Sequence, residues 1–463
     1  MKKILNLIKS PELVLFTLIF IYIIYFTTAS FLRYDNFYTG RFDLGNMDQT
    51  VWNTINGRIF QASNDDGSIV SRLSSHADFM LILLSPFYLI WSHPKMLLLI
   101  QSFVLGIGAI FVFLIAKGVL ENKTLALVFS FLYLMSPAMQ FTNLYDFHPV
   151  TIATTTLLAA FYFLLKQKYF LMILFLLLSG LAKEQILIIN SIFGLFLLFK
   201  IKRKILGLLI VLFSLIIFFY LIWVAIPANA GGQHFALSYY SDFGDSPGEV
   251  IRNVVFSPQK IISTILEGGR IDYLRQLFMP LGFISFFAPV YLIFAAPDLL
   301  INLLSNNSQL HQIYYQYSAT ITPFIFISSI FGVRQFVKWF PKIPKFYITS
   351  YLLIFTLFSA YFFGPLPGAK NPNIDMFIKP LKDKITIENF LSQIPEKYSV
   401  AATNNLGSHL SQRQTIYTIP YGVDKADMVL FLKERSELID NVKKNKNYSE
   451  VLKIDDFIAF KRK

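Results

Sequence analysis

Apolar and polar positions along this 463-residue chain come in long blocks rather than alternating residue by residue. Runs rich in Leu, Ile, Phe and Val fill Leu13–Phe31, Lys95–Ala116, Leu125–Phe141, Val150–Leu165, Tyr169–Ala182, Gln185–Phe199, Ile205–Ile226, Tyr317–Gly332 and Phe346–Phe363. They predict membrane-crossing helices, because ~20 apolar residues span a bilayer core. Phe79–Trp91 is short and ends at His93-Pro94, which predicts a half-span or a buried packing segment. Phe278–Leu304 is broken by Pro280, Pro289 and Pro297. At ~1.5 Å per residue it is too short to cross twice. It predicts two half-helices or a re-entrant hairpin, tolerated where protein surrounds it.

The remaining blocks are polar. Residues 32–78 and 227–277 form long loops, and GPLPGAKNPN marks a linker into a charged C-terminal region without spans. There Tyr398–Thr403, Thr415–Ile419, Met428–Leu432 and Phe457–Lys461 read as strands, and Lys433–Lys443 as an amphipathic helix. The expected fold is mainly α: a polytopic transmembrane helical bundle of roughly 9–12 spans, residues 1–363, with a small C-terminal α/β extracytoplasmic domain, residues 364–463.

The first polar loop has internal order. Leu44, Met47, Val51, Trp52 and Ile55 recur at helical spacing, which predicts a short juxtamembrane helix with its apolar stripe in the acyl boundary. Gly57 follows as a stop. Asp43, just before the stripe, fits two readings. It can cap the helix, with Asp48 solvated beside it, or it can be a carboxylate that accepts a proton from a sugar or alcohol hydroxyl at the membrane surface.

Composition supports the membrane reading, with 55% hydrophobic residues, 17% aromatic and no cysteine, which excludes disulfides and thiolate metal sites. The net charge of +13 invites nucleic-acid binding, but Lys and Arg sit at span ends, as the positive-inside rule and anionic headgroups require. Lys2, Lys3 and Lys9 place the N-terminus in the cytoplasm, and Lys200–Lys204 and Arg334–Lys345 mark later cytoplasmic turns. By parity the two long loops, Ser305–Tyr317 with His311, and the C-terminal domain face outward.

Polar groups cluster at those outer span ends. Asp146-Phe147-His148-Pro149 is a capped turn or a site. Lys183-Glu184 is a snorkelling pair or a functional one. His76 and Asp78, with Asp43, are candidate ligands for a divalent cation such as Mg or Mn, although this spacing is a weak metal signal. Arg33, Arg41, Arg58 and Arg72 could hold a pyrophosphate through bidentate guanidinium contacts, or answer nearby aspartates.

FDLGNMDQTVWNTINGR, the His76-x-Asp78-Phe79 stretch with SPFYLI, DFHP, LAKEQ, PDLLINLLSN, QYSATITPF and NNLGSHLSQRQTIYTIP together resemble a large uncharacterised family of predicted bacterial and archaeal membrane proteins. That family in turn looks like the GT-C glycosyltransferases that use polyprenyl-phosphate sugars. The resemblance implies an inverting transferase in the cytoplasmic membrane, acting at its outer face. The donor would be a polyprenyl-phosphate sugar and the acceptor an envelope lipid, glycan or protein. Asp43 stands where those enzymes carry their first-loop acidic residue, so Asp43 or Asp48 would act as base. Arg41, Arg58, His76, Asp146, His148, Lys183, Glu184 and His311 would contact substrate. Where GT-C members often pair Asp-Glu or Asp-Asp, Leu44 follows Asp43. A transporter or flippase for lipid-linked sugars is the competing class; it usually shows internal repeats and midplane charges, and neither is visible.

Overall fold

A run of Leu, Ile and Phe without charge is stable in an apolar surrounding only when each backbone N–H and C=O is bonded inside the segment, which selects helix. In the computed structural model, which describes residues 10–434 and 437–463, these runs are helical. Pro11–Asp35, Lys95–Leu120, Lys204–Ala230 and Lys345–Phe363 are long and apolar enough to cross a membrane. Lys123–Leu134 and Pro137–Leu144 form a fifth such stretch, bent by 45° where Pro137 opens the second helix. Pro149–Leu165, Tyr169–Gly180 and Ile186–Ile201 are shorter apolar helices, as is Met80–Leu89. The basic N-terminal residues Lys2, Lys3 and Lys9 lie outside the described residues.

The chain divides into two compact units. The helical unit holds the chain up to Phe26, Gln101–Tyr145 and Pro149–Asn373. At its centre Pro149–Leu165 is buried along almost its whole length, and its threonines bond other segments. Thr151 donates to Gln101 (3.0 Å), Thr154 to the Ala319 carbonyl (2.7 Å) and Thr155 to the Val104 carbonyl (2.7 Å). In a setting without water such bonds tie helices together. The proline-broken stretch is not a span. Met279–Leu281, Ile284–Phe287 and Pro289–Phe294 are 3₁₀ turns, and Ala296–Leu304 is a short helix. Neighbouring hydroxyls answer the carbonyls these breaks release. Thr356 donates to Pro280, Tyr351 to Gly282, and Ser328 to Ser285 and Ala288.

The mixed unit holds Thr27–Ile100, Asp146–His148 and Ile374–Lys463. Its short hairpin pairs β1 (Gln61–Ser63) with β2 (Ile69–Ser71). Its five-stranded sheet is built from β3 (Val400–Ala402), β4 (Ile416–Thr418), β5 (Met428–Leu432), β6 (Tyr448–Ile454) and β7 (Phe457–Arg462), in the order β4-β3-β5-β7-β6. Strands β4, β3 and β5 run parallel, and β7 and β6 pair antiparallel. Met428, Leu430 and Leu432 face one core with Ile387 and Leu391 of the helix Lys384–Ser392. Val429 and Phe431 face a second core with Ile439 and Val442 of the helix Glu437–Lys444. Burial on both faces explains the continuous apolar run of β5. Of the helix expected over Lys433–Lys443, residues 435 and 436 lie outside the described residues.

Candidate functional site

The first polar loop begins with a π turn, Arg41–Gly45, which leads into the helix Asn46–Ile55. Gly40 and Gly45 occupy the two cap positions and no side chain caps either segment. The capping reading of Asp43 is therefore corrected: Asp43 sits inside the π turn. Nor does the helix lay its stripe in an acyl boundary. Leu44, Met47 and Val51 are buried within the mixed unit, and Asp48, expected to be solvated, is fully buried. Two glycines permit this packing. A Cβ on Gly407 would lie 2.2 Å from Cβ of Arg41, and one on Gly45 would lie 3.2 Å from the Gly407 carbonyl oxygen. The FDLG and NNLG motifs thus meet backbone to backbone.

Asp43 instead meets the DFHP turn. His148 Nε2 lies 3.0 Å from Asp43 Oδ1, and His148 Nδ1 lies 2.9 Å from the Asp146 carbonyl oxygen. A carbonyl only accepts, so Nδ1 carries a hydrogen. The Nε2···Oδ1 bond then needs one further proton, held as imidazolium against carboxylate or as neutral imidazole against carboxylic acid. Asp146 accepts from the Gly40 N–H at 2.7 Å, and Arg33 stands 3.9 Å away. Burial, and then the charge of Asp43, raise the Asp146 carboxyl above the usual carboxylate range. The Asp43 side chain is 30% exposed, against 4% for Asp146. It can exchange a proton with an arriving hydroxyl.

Asp48 is a different kind of acid. Ser411 Oγ (2.6 Å), Tyr88 Oη (2.5 Å) and Gln412 Nε2 (3.1 Å) all donate to it. Burial pushes it up to about 6, although these donors and Arg41 favour its charged form. Arg41 is also inward-facing, spending Nη1 on Asn46 and Nη2 on Gln49 (2.9 Å) and the Ser63 carbonyl (2.8 Å). Burial lowers its guanidinium to about 10. Arg58 is half-buried, donates to Asn53 at 2.7 Å and lies over Trp52.

Asp43, His76 and Asp78 do not form one ligand set. Among the described residues no cluster of metal-ligating groups contains Asp43 or Asp78, and Arg72 grips Asp78 through Nε (3.1 Å) and Nη2 (2.9 Å). That donor set does not fit a cation. His76 is half-buried in the same unit.

Lys183, Glu184 and His311 belong to the helical unit. Glu184 is buried, with His234 Nε2 3.6 Å from its Oε1. Both residues line a largely apolar cavity of about 740 Å³, walled by Phe218, Trp223, Leu300 and Leu304 and joined by Gln185, Gln233 and Tyr240. His311 is buried, and burial followed by the charge of Arg270 holds its imidazole below the ordinary range. Tyr88, Ser411 and Gln412 around Asp48, and His234 beside Glu184, escape a reading of the sequence because their partners are remote in the chain. The nearest signal for the first group is the polar SHLSQRQ stretch.

No curated protein matches the chain. Residues 33–455 match the model of a family described as Predicted membrane protein (DUF2079), and the chain belongs to that family.

Proposed function

We propose that this membrane protein is an inverting glycosyltransferase of the GT-C type, moving a sugar from a polyprenyl-phosphate donor to a hydroxyl of an envelope acceptor at the outer face of the cytoplasmic membrane. The observation that carries the reading is Asp43, a part-exposed carboxylate backed by His148. In the reaction the acceptor oxygen attacks the anomeric carbon while Asp43 takes its proton. The bond from that carbon to the lipid phosphate breaks, and the phosphate leaves with the electron pair. His148, itself fixed by the Asp146 carbonyl, holds Asp43 in one orientation. The guanidinium of Arg58, which is not wholly buried, can answer the phosphate charge.

Asp43→Asn tests this in the purified protein. The substitution keeps size and removes the proton acceptor, so transfer should fall by ~10²–10⁴-fold, with donor binding and thermal stability close to wild type. A flippase for the same lipid would be indifferent to Asp43. Full transfer in the folded variant therefore ends the proposal for Asp43.

A further inference from the structure

A second cavity, of about 390 Å³, lies wholly within the mixed unit. That is the lower end of the ~300–1,000 Å³ typical of small-molecule clefts, and roomy enough for a mono- or disaccharide. Phe42 and Asn46, which flank Asp43 along the π turn and the helix start, line it. So do Asp65 and Asp66 of the hairpin turn, Arg72, and Tyr421 from the loop after β4.

The lining is built rather than incidental. Tyr417 locks the hairpin turn to the Tyr421 loop, because a Cβ on Gly67 or Gly422 would sit 2.2 or 2.3 Å from Tyr417 atoms. Both glycines have positive φ, +79° and +76°, so neither position accepts another residue without strain. Thr418 completes the joint, its N–H donating to the Asp65 carbonyl at 2.9 Å and its hydroxyl to Oδ1 at 3.0 Å. That leaves Asp65 Oδ2 for a ligand.

The chemistry of the lining selects a class. Phe42 and Tyr421 are about half exposed, at 50% and 52%. Two bare rings beside carboxylates and amides are costly toward water alone, but they fit the C–H faces of a sugar, whose positive edge meets the negative ring face. Asp65 and Asp66 accept from hydroxyl groups. Arg72 gives Nε and Nη2 to Asp78, which leaves Nη1 as its donor on the cavity side. Ser68 holds Asp66 below the usual carboxylate range, so it is ionised. With Arg72 already neutralised by Asp78, the cavity is net negative and disfavours a phosphate or carboxylate ligand.

We propose that this cavity binds a neutral saccharide and serves as the subsite for a sugar acceptor. The acceptor role rests on the glycosyltransferase reading above; saccharide binding does not.

The test uses the full chain in detergent micelles. Saturation-transfer-difference NMR is run with methyl glycosides of mannose, glucose, galactose and N-acetylglucosamine. Ring-proton transfer to at least one glycoside is expected. Asp65→Asn keeps the bond from Thr418 but weakens the acceptor oxygens, and Tyr421→Ala removes a stacking face. Each should weaken binding by about tenfold or more. Lys382→Ala, an exposed residue outside the lining, should bind the glycoside as wild type does. The inference is overturned by absence of binding to all four glycosides, by binding that neither variant changes, or by Mn²⁺ or Ca²⁺ binding that Asp65→Asn abolishes without any glycoside signal. Glycoside binding in a protein whose transfer ignores Asp43 would sink the transferase reading and leave the saccharide site standing.

Discussion

Replacing Asp48 by Asn separates burial from chemistry at a single atom. Folding raises this carboxyl from 3.8 to about 6, chiefly by burial. The native state therefore keeps the proton at pH values where the unfolded chain has released it. The stability involved is fully present below pH 3.8 and is lost as the pH rises through about 6. At ~1.4 kcal/mol per tenfold change in the proton equilibrium, the loss is ~3 kcal/mol. Asn cannot ionise and escapes it. The amide oxygen still accepts from Tyr88 and Gln412. Ser411 can turn its hydroxyl proton to the Ser408 carbonyl, 2.9 Å away, and accept from the new amide. Tyr88, Gln412 and Ser411 each keep an acceptor. In a fluorescence-monitored thermal unfolding series from about pH 4 to about pH 8, Asp48→Asn should start level with wild type. It should gain up to ~3 kcal/mol on it, and on the proposed function it should transfer sugar as wild type does. A stability gap that does not change with pH, or a folded variant that has lost transfer, would refute the reasoning.

Two further outcomes are expected. Arg72→Met strands the buried Asp78 carboxylate and should cost ~3–5 kcal/mol, much of it recovered in Arg72→Met with Asp78→Asn; a denaturant double-mutant cycle measures this, and additive losses would show that the pair is uncoupled. A topology reporter fused after Lys204 should score cytoplasmic and one after Lys463 external. A cytoplasmic score at Lys463 would overturn the outward placement of the C-terminal region.

The helices were legible because length and apolarity are local properties. The breaks at Pro280, Pro289 and Pro297 were legible for the same reason, since proline removes a donor wherever it stands. Strand β5 announced itself as MVLFL, whereas β6 did not: YSEVLKI faces outward along most of its length and carries no apolar run. The hairpin β1–β2 is three residues a side, below what alternation can reveal. Among the acids the sequence supplied the right neighbourhood and misjudged the surroundings. Asp48 on a helix with a greasy stripe reads as a solvated residue only while Tyr88 and Ser411, 40 and 363 positions away, are unknown. Arg41 reads as a phosphate grip until Gln49 and Ser63 are seen to take its fork.

Burial then sorts the four acids into roles. Asp48 and Asp78 are buried against donors that already satisfy them, so drawing a proton from substrate would require breaking those bonds first. Asp146 is spent on the Gly40 N–H, and its neighbour Asp43 makes its ionised form costly. Asp43 alone of the four combines exposure with a partner that stabilises its charge. A general base needs access before it needs a tuned proton affinity, and access singles out Asp43. Its chain neighbour Phe42 lines the polar cavity, one residue and ~3.8 Å of backbone away. A sugar held there would lie against the π turn at Phe42.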